Sequence, residues 1–257
     1  MPIGISTLCI FGRTFLGGNL DRLLDLDIEV LEFMEDWRDR LNKARIKRLA
    51  EIRRSRNIIY TIHSPLLDMN IASANRYFRT LSTRLVMASL ESAREIDAAV
   101  VVVHPGSKTP LEAAYPNTAW EYNKDSLRRI LAYAEDLGVK VGVENMPGHT
   151  YLLLQGADEF RRLADEGIPL KMTLDLGHAN TTGQLGALLD MKDSIIHLHV
   201  HDNAGDSDAH KVVGQGNIDW KRVKANLSLD KITAVIESSS ASDAEASLVN
   251  FRRLYST

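Results

Sequence analysis

Short apolar runs, many of them rich in β-branched residues, alternate with longer amphipathic segments along the whole chain. The runs predict eight strands, at Ile3–Ser6, Ile28–Phe33, Ile58–His63, Ala99–His104, Lys140–Glu144, Leu170–Leu174, Ile195–His201 and Ile232–Glu237. Between them, helical periodicity is clearest at Asn75–Ile96, Ala119–Leu137, Ala157–Glu166 and Ala241–Arg253. Nearly continuous apolar strands, such as the valines from Val100 to Val103, are typical of parallel strands buried on both faces.

Eight strands, each followed by a helix or a helix-length segment, predict one closed α/β barrel of the (β/α)₈ TIM type. The length of 257 residues is usual for such a barrel. No Pro/Gly-rich linker or low-complexity tract interrupts the pattern, so we expect a single domain over residues 1–257. In this fold the active site lies at the C-terminal ends of the strands.

Composition narrows the class of protein. An apolar fraction of 44% and a charged fraction of 25% are ordinary for a soluble globular enzyme. The net charge of −3 does not suggest broad affinity for nucleic acid. The single cysteine, Cys9, excludes an intramolecular disulfide, fits a reducing cytoplasm, and is interpreted as a structural thiol. No signal peptide and no apolar run of the roughly 20 residues needed for a membrane helix is visible, so we expect no membrane association.

The segment from Arg38 to Arg56 carries nine basic residues against two acidic ones. One interpretation is a solvated outer helix that turns Ile46, Leu49 and Ile52 towards the barrel. The other is a contact with the phosphate backbone of a nucleic acid.

Six successive predicted strands, from the third to the eighth, end in or run directly into residue types that bind metals. They supply His63, His104, Glu144, Asp175, His199 and Glu237. One such residue alone is explained by solvation or by helix capping, but six in succession make a stronger pattern. Glu144, Asp175, His199 and Glu237 are therefore predicted to form a cup for a divalent metal. Three oxygen ligands and one nitrogen suit Mn²⁺, Mg²⁺, Co²⁺ or Zn²⁺.

Further histidines and an aspartate surround this cup. The two-residue period of strand seven turns His197, His199 and His201 towards the barrel interior. His197 is the deepest and is predicted to be a hydrogen-bonded core residue, whereas His199 and His201 can reach a metal. The other candidates for metal or substrate binding are His63, His104, His178, Asp208 and His210.

Loops above the barrel contribute less specific signals. Asp208 and His210 have a spacing that suits metal ligation, although alone they would be read as a polar turn. The Gly214-Gln-Gly216 sequence lacks the third glycine of a nucleotide fingerprint and is interpreted as a tight turn before Asp219 caps a helix. Tyr115, Trp120 and His149 are placed in loops that could contact a sugar, with plain loop packing as the simpler interpretation. No Gly-x-Ser-x-Gly elbow or Walker loop is present.

Over almost its whole length the chain resembles the xylose isomerase-like barrels that include endonuclease IV. The motifs that carry the resemblance are His63-Ser-Pro, Asn70-Ile-Ala-Ser, His104-Pro-Gly-Ser, Glu144-Asn, Asp175-Leu-Gly-His178, His199-Val-His-Asp, Asp208-Ala-His210, Gly-Gln-Gly-Asn-Ile and Glu237-Ser. The family's single-metal sugar isomerases and epimerases bind their metal through a Glu, an Asp, a His and a Glu. By resemblance, the corresponding residues of this chain are Glu144, Asp175, His199 and Glu237. His199 is preferred to His201 because the family's ligand stands three residues before an acidic residue, here Asp202.

The resemblance implies a metal-dependent isomerase or epimerase that acts on a small sugar or a related keto-polyol. Glu144 and Glu237 would be the catalytic acid–base pair, moving a proton through a metal-stabilised enediolate. The chemistry of a lyase or dehydratase would use the same residues. A barrel that keeps these residues without catalysis is a third possibility, and substrate identity and oligomeric state stay open.

The alternative activity is that of an endonuclease IV-like phosphodiesterase acting at abasic sites in DNA. Under that resemblance up to three Zn²⁺ ions would be held by nine residues. They are His63, His104, Glu144, Asp175, His178, His199, Asp208, His210 and Glu237. Leu66 occupies the position at which the nuclease has an aromatic residue. The residues that flank Glu144 and Asp175 also differ from the nuclease motifs. DNA is a partner only under this alternative.

Overall fold

Eight parallel strands close into a barrel in the order in which they follow one another in the chain. The computed structural model describes residues 2–227 and 232–256. The strands are β1 (Ile3–Ser6), β2 (Val30–Met34), β3 (Ile59–His63), β4 (Val101–Val103), β5 (Val141–Glu144), β6 (Met172–Asp175), β7 (Ile195–Val200) and β8 (Thr233–Ile236). Strand β8 pairs in parallel with β1, which closes the sheet. The predicted TIM barrel is confirmed.

Helices follow every strand and cover the outside of the barrel. They are α1 (Asn19–Leu24), α2 (Lys43–Ser55), α3 (Arg76–Ile96), α4 (Thr118–Leu137), α5 (Ala157–Asp165), α6 (Leu176–Thr181), α7 (Leu185–Leu189), α8 (Trp220–Asn226) and α9 (Ala241–Ser256). Side-chain caps start several of them: Asn75 accepts from the backbone N–H of Tyr77 at the start of α3, and Asp219 accepts from Arg222 N at the start of α8. These caps satisfy N–H groups that have no partner within the helix.

Most predicted strands extend one or two residues beyond the observed strand at one or both ends. Some of these flanking residues still hydrogen-bond to the neighbouring strand, as Ala99 N does to the carbonyl oxygen of Tyr60. The shortest strand is β4, so His104 begins the following loop instead of ending the strand. Strand β6 extends one residue further than predicted and ends at Asp175. These differences in strand ends change which ligand candidates belong to a strand and which to a loop. All of the candidates still lie at the C-terminal face of the barrel.

The basic segment around α2 is a solvated outer helix, as the first of its two interpretations states. Leu49 is fully buried, and Ile46 and Ile52 pack against the core. On the outer side, Arg48 pairs with Asp21 at 2.8 Å. Arg53, likewise, donates to the carboxylate of Asp97. Such exposed pairs each contribute little stability.

The barrel interior is apolar near its walls and polar along its axis. His197 is fully buried. Its Nδ1 lies 2.6 Å from Thr233 Oγ1 and its Nε2 lies 3.0 Å from Glu32 Oε2. This is the hydrogen-bonded core histidine that the sequence predicts. Buried polar groups need such partners, because an unpaired one is costly in a dry interior.

Cys9 is buried beside β1 and its Sγ lies 3.4 Å from the carbonyl oxygen of Ser6. Burial raises the pKa of the Cys9 thiol to about 11, so it is protonated at neutral pH. A buried, protonated thiol is unreactive, which fits the structural role expected for it. Within residues 2–227 and 232–256, no helix combines the length and apolar character that crossing a bilayer requires.

Candidate metal centre

Among the described residues, four groups of potential ligand atoms have all their atoms within 4.8 Å of one another. One of them, Glu32, His197 and His199, is fully buried in the barrel interior, and the other three contain the ligand candidates from the sequence. The first of these three, which we call the outer group, is His63, His104 and Glu144. The central group is Glu144, Asp175, His199 and Glu237. The loop group is His178, His201, Asp208 and His210. All of the candidate site residues from the sequence are therefore brought together, and Glu144 belongs to two groups.

The outer group has the spacing of ligands around one ion. Glu144 Oε2 lies 3.0 Å from His104 Nε2 and 3.4 Å from His63 Nε2. The two imidazole Nε2 atoms are 3.1 Å apart. With metal–ligand bonds of about 2.0–2.2 Å, two ligands of one ion lie about 3.0–3.5 Å apart. The observed distances fall in this range.

Backbone carbonyls fix the ring orientation of two histidines. The Nδ1 atom of His63 lies 2.8 Å from the carbonyl oxygen of Ser64, and that of His178 lies 2.8 Å from the carbonyl oxygen of Asn145. A carbonyl can only accept, so each Nδ1 carries the hydrogen in this contact. When each ring is neutral, as metal ligation requires, its Nε2 lone pair faces the outer group in the case of His63 and the loop group in the case of His178.

The central group sets three carboxylates around one imidazole. His199 Nδ1 lies 3.0 Å from Glu144 Oε1, 3.6 Å from Glu237 Oε1 and 3.8 Å from Asp175 Oδ2. Burial alone would raise the pKa of Glu144, but the charges of His199 and His104 outweigh it and hold that pKa well below its usual range. The carboxylate is thus ionised, although its side chain is only 1% exposed.

Several buried atoms of these groups make no hydrogen bond of acceptable geometry with any described residue. They are Glu144 Oε2, Asp175 Oδ2, His199 Nε2, His201 Nδ1, His201 Nε2 and His210 Nδ1. Two of them, Glu144 Oε2 and His201 Nε2, nevertheless lie 3.0 Å and 3.1 Å from His104 Nε2 and Asp175 Oδ1. Leaving so many polar atoms unpaired in a buried site is costly. A divalent cation would satisfy the carboxylate oxygens and ring nitrogens that face a common point. The donor set, mixed carboxylate and imidazole, fits Zn²⁺, Mn²⁺ or Co²⁺.

The loop group is built around Asp208. Its Oδ2 atom lies 3.2 Å from His178 Nε2 and 3.4 Å from His210 Nε2. Its Oδ1 atom lies 3.4 Å from His201 Nε2, which is itself 3.1 Å from Asp175 Oδ1. Asp175 therefore connects the loop group to the central group.

Local structure explains why His178 and His201 can approach so closely. Asp175 ends β6 and also caps α6, accepting from the backbone N–H of His178 at 2.6 Å. This places His178 in the first turn of α6. A Cβ at Gly177 would lie 2.0 Å from the His201 ring. Glycine at that position leaves room for the ring.

Asp202 organises the loop that carries Asp208 and His210. Its carboxylate accepts from the backbone N–H of Gly214 at 2.8 Å and from Trp220 Nε1 at 3.1 Å. A Cβ at Gly216 would lie 2.1 Å from Asp202 Oδ1. The two glycines therefore allow the tight turn over the site, as the sequence interpretation states.

Sequence reasoning missed Glu32, a fully buried residue on β2. Its Oε2 atom accepts from Thr61 Oγ1 at 3.0 Å, and its Oε1 atom lies 3.3 Å from His199 Nε2. Glu32 thus faces one ring nitrogen of His199 while the central carboxylates face the other. A carboxylate behind a histidine ligand orients the ring and fixes its tautomer. The signal in the sequence was a lone acid within the apolar run of β2.

Of the three loop residues considered for sugar contacts, Trp120 is excluded by its position. It lies in the first turn of α4, is 4% exposed, and donates from Nε1 to Glu166 at 3.1 Å. Its placement in a loop above the mouth was wrong. Tyr115 is 63% exposed, and His149 is also exposed.

Residues 20–250 match the family model described as "Xylose isomerase-like TIM barrel". The chain belongs to this family, as its resemblance implied. An uncharacterized protein of Methanocaldococcus jannaschii, MJ1311, is 32% identical over 233 residues, which cover 88% of this chain and 79% of that protein. Fructoselysine 3-epimerase of Escherichia coli O157:H7 is 24% identical over 189 residues, covering 71% of this chain and 67% of the epimerase.

Two solved structures share the barrel over its full length. A D-tagatose 3-epimerase-like protein superposes with a TM-score of 0.91 at 29% identity, covering 100% of this chain and 97% of the other. Endonuclease IV from Thermus thermophilus superposes with a TM-score of 0.74 at 23% identity, covering 100% and 99%. At that identity the endonuclease likeness shows the fold alone.

Replacing Glu32 with Gln is expected to weaken metal binding by about 10- to 100-fold, because the amide no longer orients His199 as a carboxylate does. Competition with a fluorescent chelator would measure the affinity. Glu51→Gln on the exposed face of α2 is the control for the same chemical change. An unchanged affinity in folded Glu32→Gln protein would contradict this role for Glu32.

Metal binding is expected to release protons. Burial lowers the pKa of His178 and of His210, but the surrounding carboxylates outweigh it, chiefly Asp175 for His178 and Asp208 for His210. The pKa values become about 10 and about 9. Both rings are therefore protonated in the metal-free protein near pH 7.5, and a metal must displace those protons.

Titration calorimetry with Zn²⁺ at pH 7.5, in two buffers of different ionisation enthalpy, would count the protons. Affinity should rise as the pH increases towards 9, and His178→Gln and His210→Gln should each lower the proton count. His149→Gln, an exposed histidine, is the control. Binding without proton release would contradict the expectation.

Proposed function

We propose that this chain is a divalent-metal-dependent epimerase or isomerase of sugars or related hydroxy ketones. The observation that carries the proposal is the central group. Glu144 ends β5 and Glu237 directly follows β8, and their carboxylate oxygens lie within 4.8 Å of each other and of ligand atoms of Asp175 and His199. Two carboxylates at one metal-binding point are the parts needed to remove a proton and return it.

Glu144, Asp175, His199 and Glu237 would hold the cation. When bound, the metal would act as a Lewis acid towards a carbonyl and make the neighbouring C–H bond more acidic. Glu144 is ionised and can accept a proton at Oε1 or Oε2. Glu237 would return a proton to the opposite face or to the adjacent carbon. The buried position of both side chains, 1% and 6% exposed, would keep bulk water from the intermediate.

The named relatives support this class of reaction. The curated relative that covers 71% of this chain is a fructoselysine 3-epimerase, and the structure with a TM-score of 0.91 is that of a D-tagatose 3-epimerase-like protein. Both names describe epimerisation at carbon 3, next to a ketone. We therefore expect this chain to exchange a proton on a carbon adjacent to a carbonyl.

Glu144→Gln and Glu237→Gln should each lower turnover by about 10²- to 10⁴-fold, because an amide cannot take up the transferred proton. The measurement is deuterium incorporation at C3 of D-tagatose and D-fructose in D₂O, followed by NMR, with Mn²⁺-loaded protein. Glu95→Gln on the exposed face of α3 is the matched control. Unchanged exchange in both site variants, at equal metal content, would contradict the proposal.

A second candidate is hydrolysis of phosphodiester bonds at abasic sites in DNA. The observation in its favour is that the outer and loop groups flank the central group, with Glu144 shared by two groups. Several ions in one cluster can stabilise both the attacking and the leaving oxygen. Metal-replete protein would be tested on a duplex with a tetrahydrofuran abasic analogue, with intact duplex as control. Nicking abolished by a chelator and restored by Zn²⁺ would favour this candidate over the epimerase.

A further inference from the structure

An apolar cavity of about 310 Å³ opens beside the outer group of the metal centre. Three successive loops form it, those after β3, β4 and β5. Its apolar lining includes Leu66, Met69, Ile71, Pro105, Met146 and Leu152. His104 belongs both to this lining and to the outer group, so the cavity adjoins the candidate metal centre.

Hydrogen bonds between the loops hold the cavity open. The side chain of Asn70 donates from Nδ2 to the carbonyl oxygen of Ser107 at 2.9 Å and accepts at Oδ1 from Ser107 N at 3.0 Å. Ser107 also forms an antiparallel bridge with Leu152. The loop after β4 is thus tied to the loops on both sides of it. A cavity fixed in this way is preformed, so a ligand need not pay for ordering it.

The lining offers little to a hydroxylated ligand. Asn70 Oδ1 already accepts from Ser107 N and from Ala72 N, and its amide donates to Ser107 O. Most of the remaining wall is hydrocarbon or thioether. Hydroxyl groups placed there would lose their hydrogen bonds to water without full replacement. Burial of alkyl or aromatic carbon in the same space is favourable.

We propose that the substrate carries an apolar substituent, alkyl or aryl, that sits in this cavity while its polar end reaches the metal centre. This inference rests on the proposed function and names the substrate class. The preferred substrate would be an α-hydroxy ketone with a hydrocarbon tail, bound more tightly than a sugar such as D-tagatose, whose tail is a polyol chain. A cavity of about 150 Å³ accommodates benzene, so about 310 Å³ has room for a phenyl group or a chain of several carbons.

Alkyl hydroxamates test binding of the polar end and of the apolar tail of the proposed substrate separately. Their two oxygens bind a metal, and the alkyl chain can be lengthened from acetohydroxamate through butano- and hexano- to octanohydroxamate. Titration calorimetry on the Zn²⁺-loaded protein is expected to show affinity rising about fourfold per methylene group until the cavity is filled. Binding of acetohydroxamate with no gain along the series would overturn the inference and leave the metal centre standing.

Substitutions in the cavity lining test whether the increase in affinity with alkyl chain length arises in this cavity. Leu152→Asn and Met69→Gln put polar groups into the lining, and each should reduce the ratio of octanohydroxamate to acetohydroxamate affinity. Leu111→Asn is the matched control, because Leu111 is 41% exposed in the loop after β4 and does not line the cavity. A ratio unchanged in both cavity variants, or reduced equally in the control, would overturn the assignment.

A measurement without metal separates failure of this inference from failure of the proposed function. Methyl-¹³C methionine labels report on Met69 and Met146, which both line the cavity. In chelated protein, n-hexanol is expected to shift these two methyl signals, assigned with Met69→Leu and Met146→Leu, and not the other methionine signals. Shifts without hydroxamate binding would support the apolar site and contradict the metal function. Absence of both shifts would overturn the inference.

Discussion

The candidate metal centre depends on one constraint, which is that the negative charges of its buried carboxylates must be balanced in a part of the barrel that excludes water. Glu32, Glu144, Asp175 and Glu237 are all at least 95% buried around the barrel axis. Buried carboxylates are tolerated only when cations or strong hydrogen-bond donors face them. In this chain those partners are imidazoles, and several carboxylate and ring atoms still lack a hydrogen bond among the described residues. A divalent cation at the central group would balance the charges of Glu144, Asp175 and Glu237 without requiring protons.

The barrel fold brings ligand residues that are far apart in the sequence close together in space. Parallel strands deliver their last side chains to one face, so Glu144 from β5 meets Asp175 from β6 and His199 from β7. Caps and turns then refine the positions: Asp175 both ends a strand and starts α6, and Asp202 draws the following loop back over the mouth. Glu32 Oε1 lies 3.3 Å from Nε2 of His199, on the side of the ring opposite the central carboxylates. Each of these residues has a local structural role, and together they orient the ligand atoms.

The barrel, its strand order and the candidate residues were predictable from the sequence because they follow from local patterns. Periodicity identifies strands, and a polar residue at each strand end is visible without a structure. The division into three groups was not predictable, because it depends on the stagger of neighbouring strands and on which carboxylate oxygen faces which ring. Glu32 was missed because it lies within a strand and not at its end. Trp120 was assigned to a loop although it falls inside the predicted helix Ala119–Leu137, which begins one residue after α4 begins. The apolar cavity depends on contacts between three loops, made through Asn70 and Ser107, that no local pattern encodes.

Anomalous X-ray diffraction from crystals grown with Mn²⁺ or Zn²⁺, recorded on both sides of the metal's absorption edge, tests the central claim most directly. The account predicts an anomalous peak about 2.0–2.3 Å from oxygens of Glu144, Asp175 and Glu237 and from Nδ1 of His199. Additional peaks at the outer and loop groups would identify a multinuclear centre. Ions bound only at the protein surface, with no peak at the central group, would contradict it.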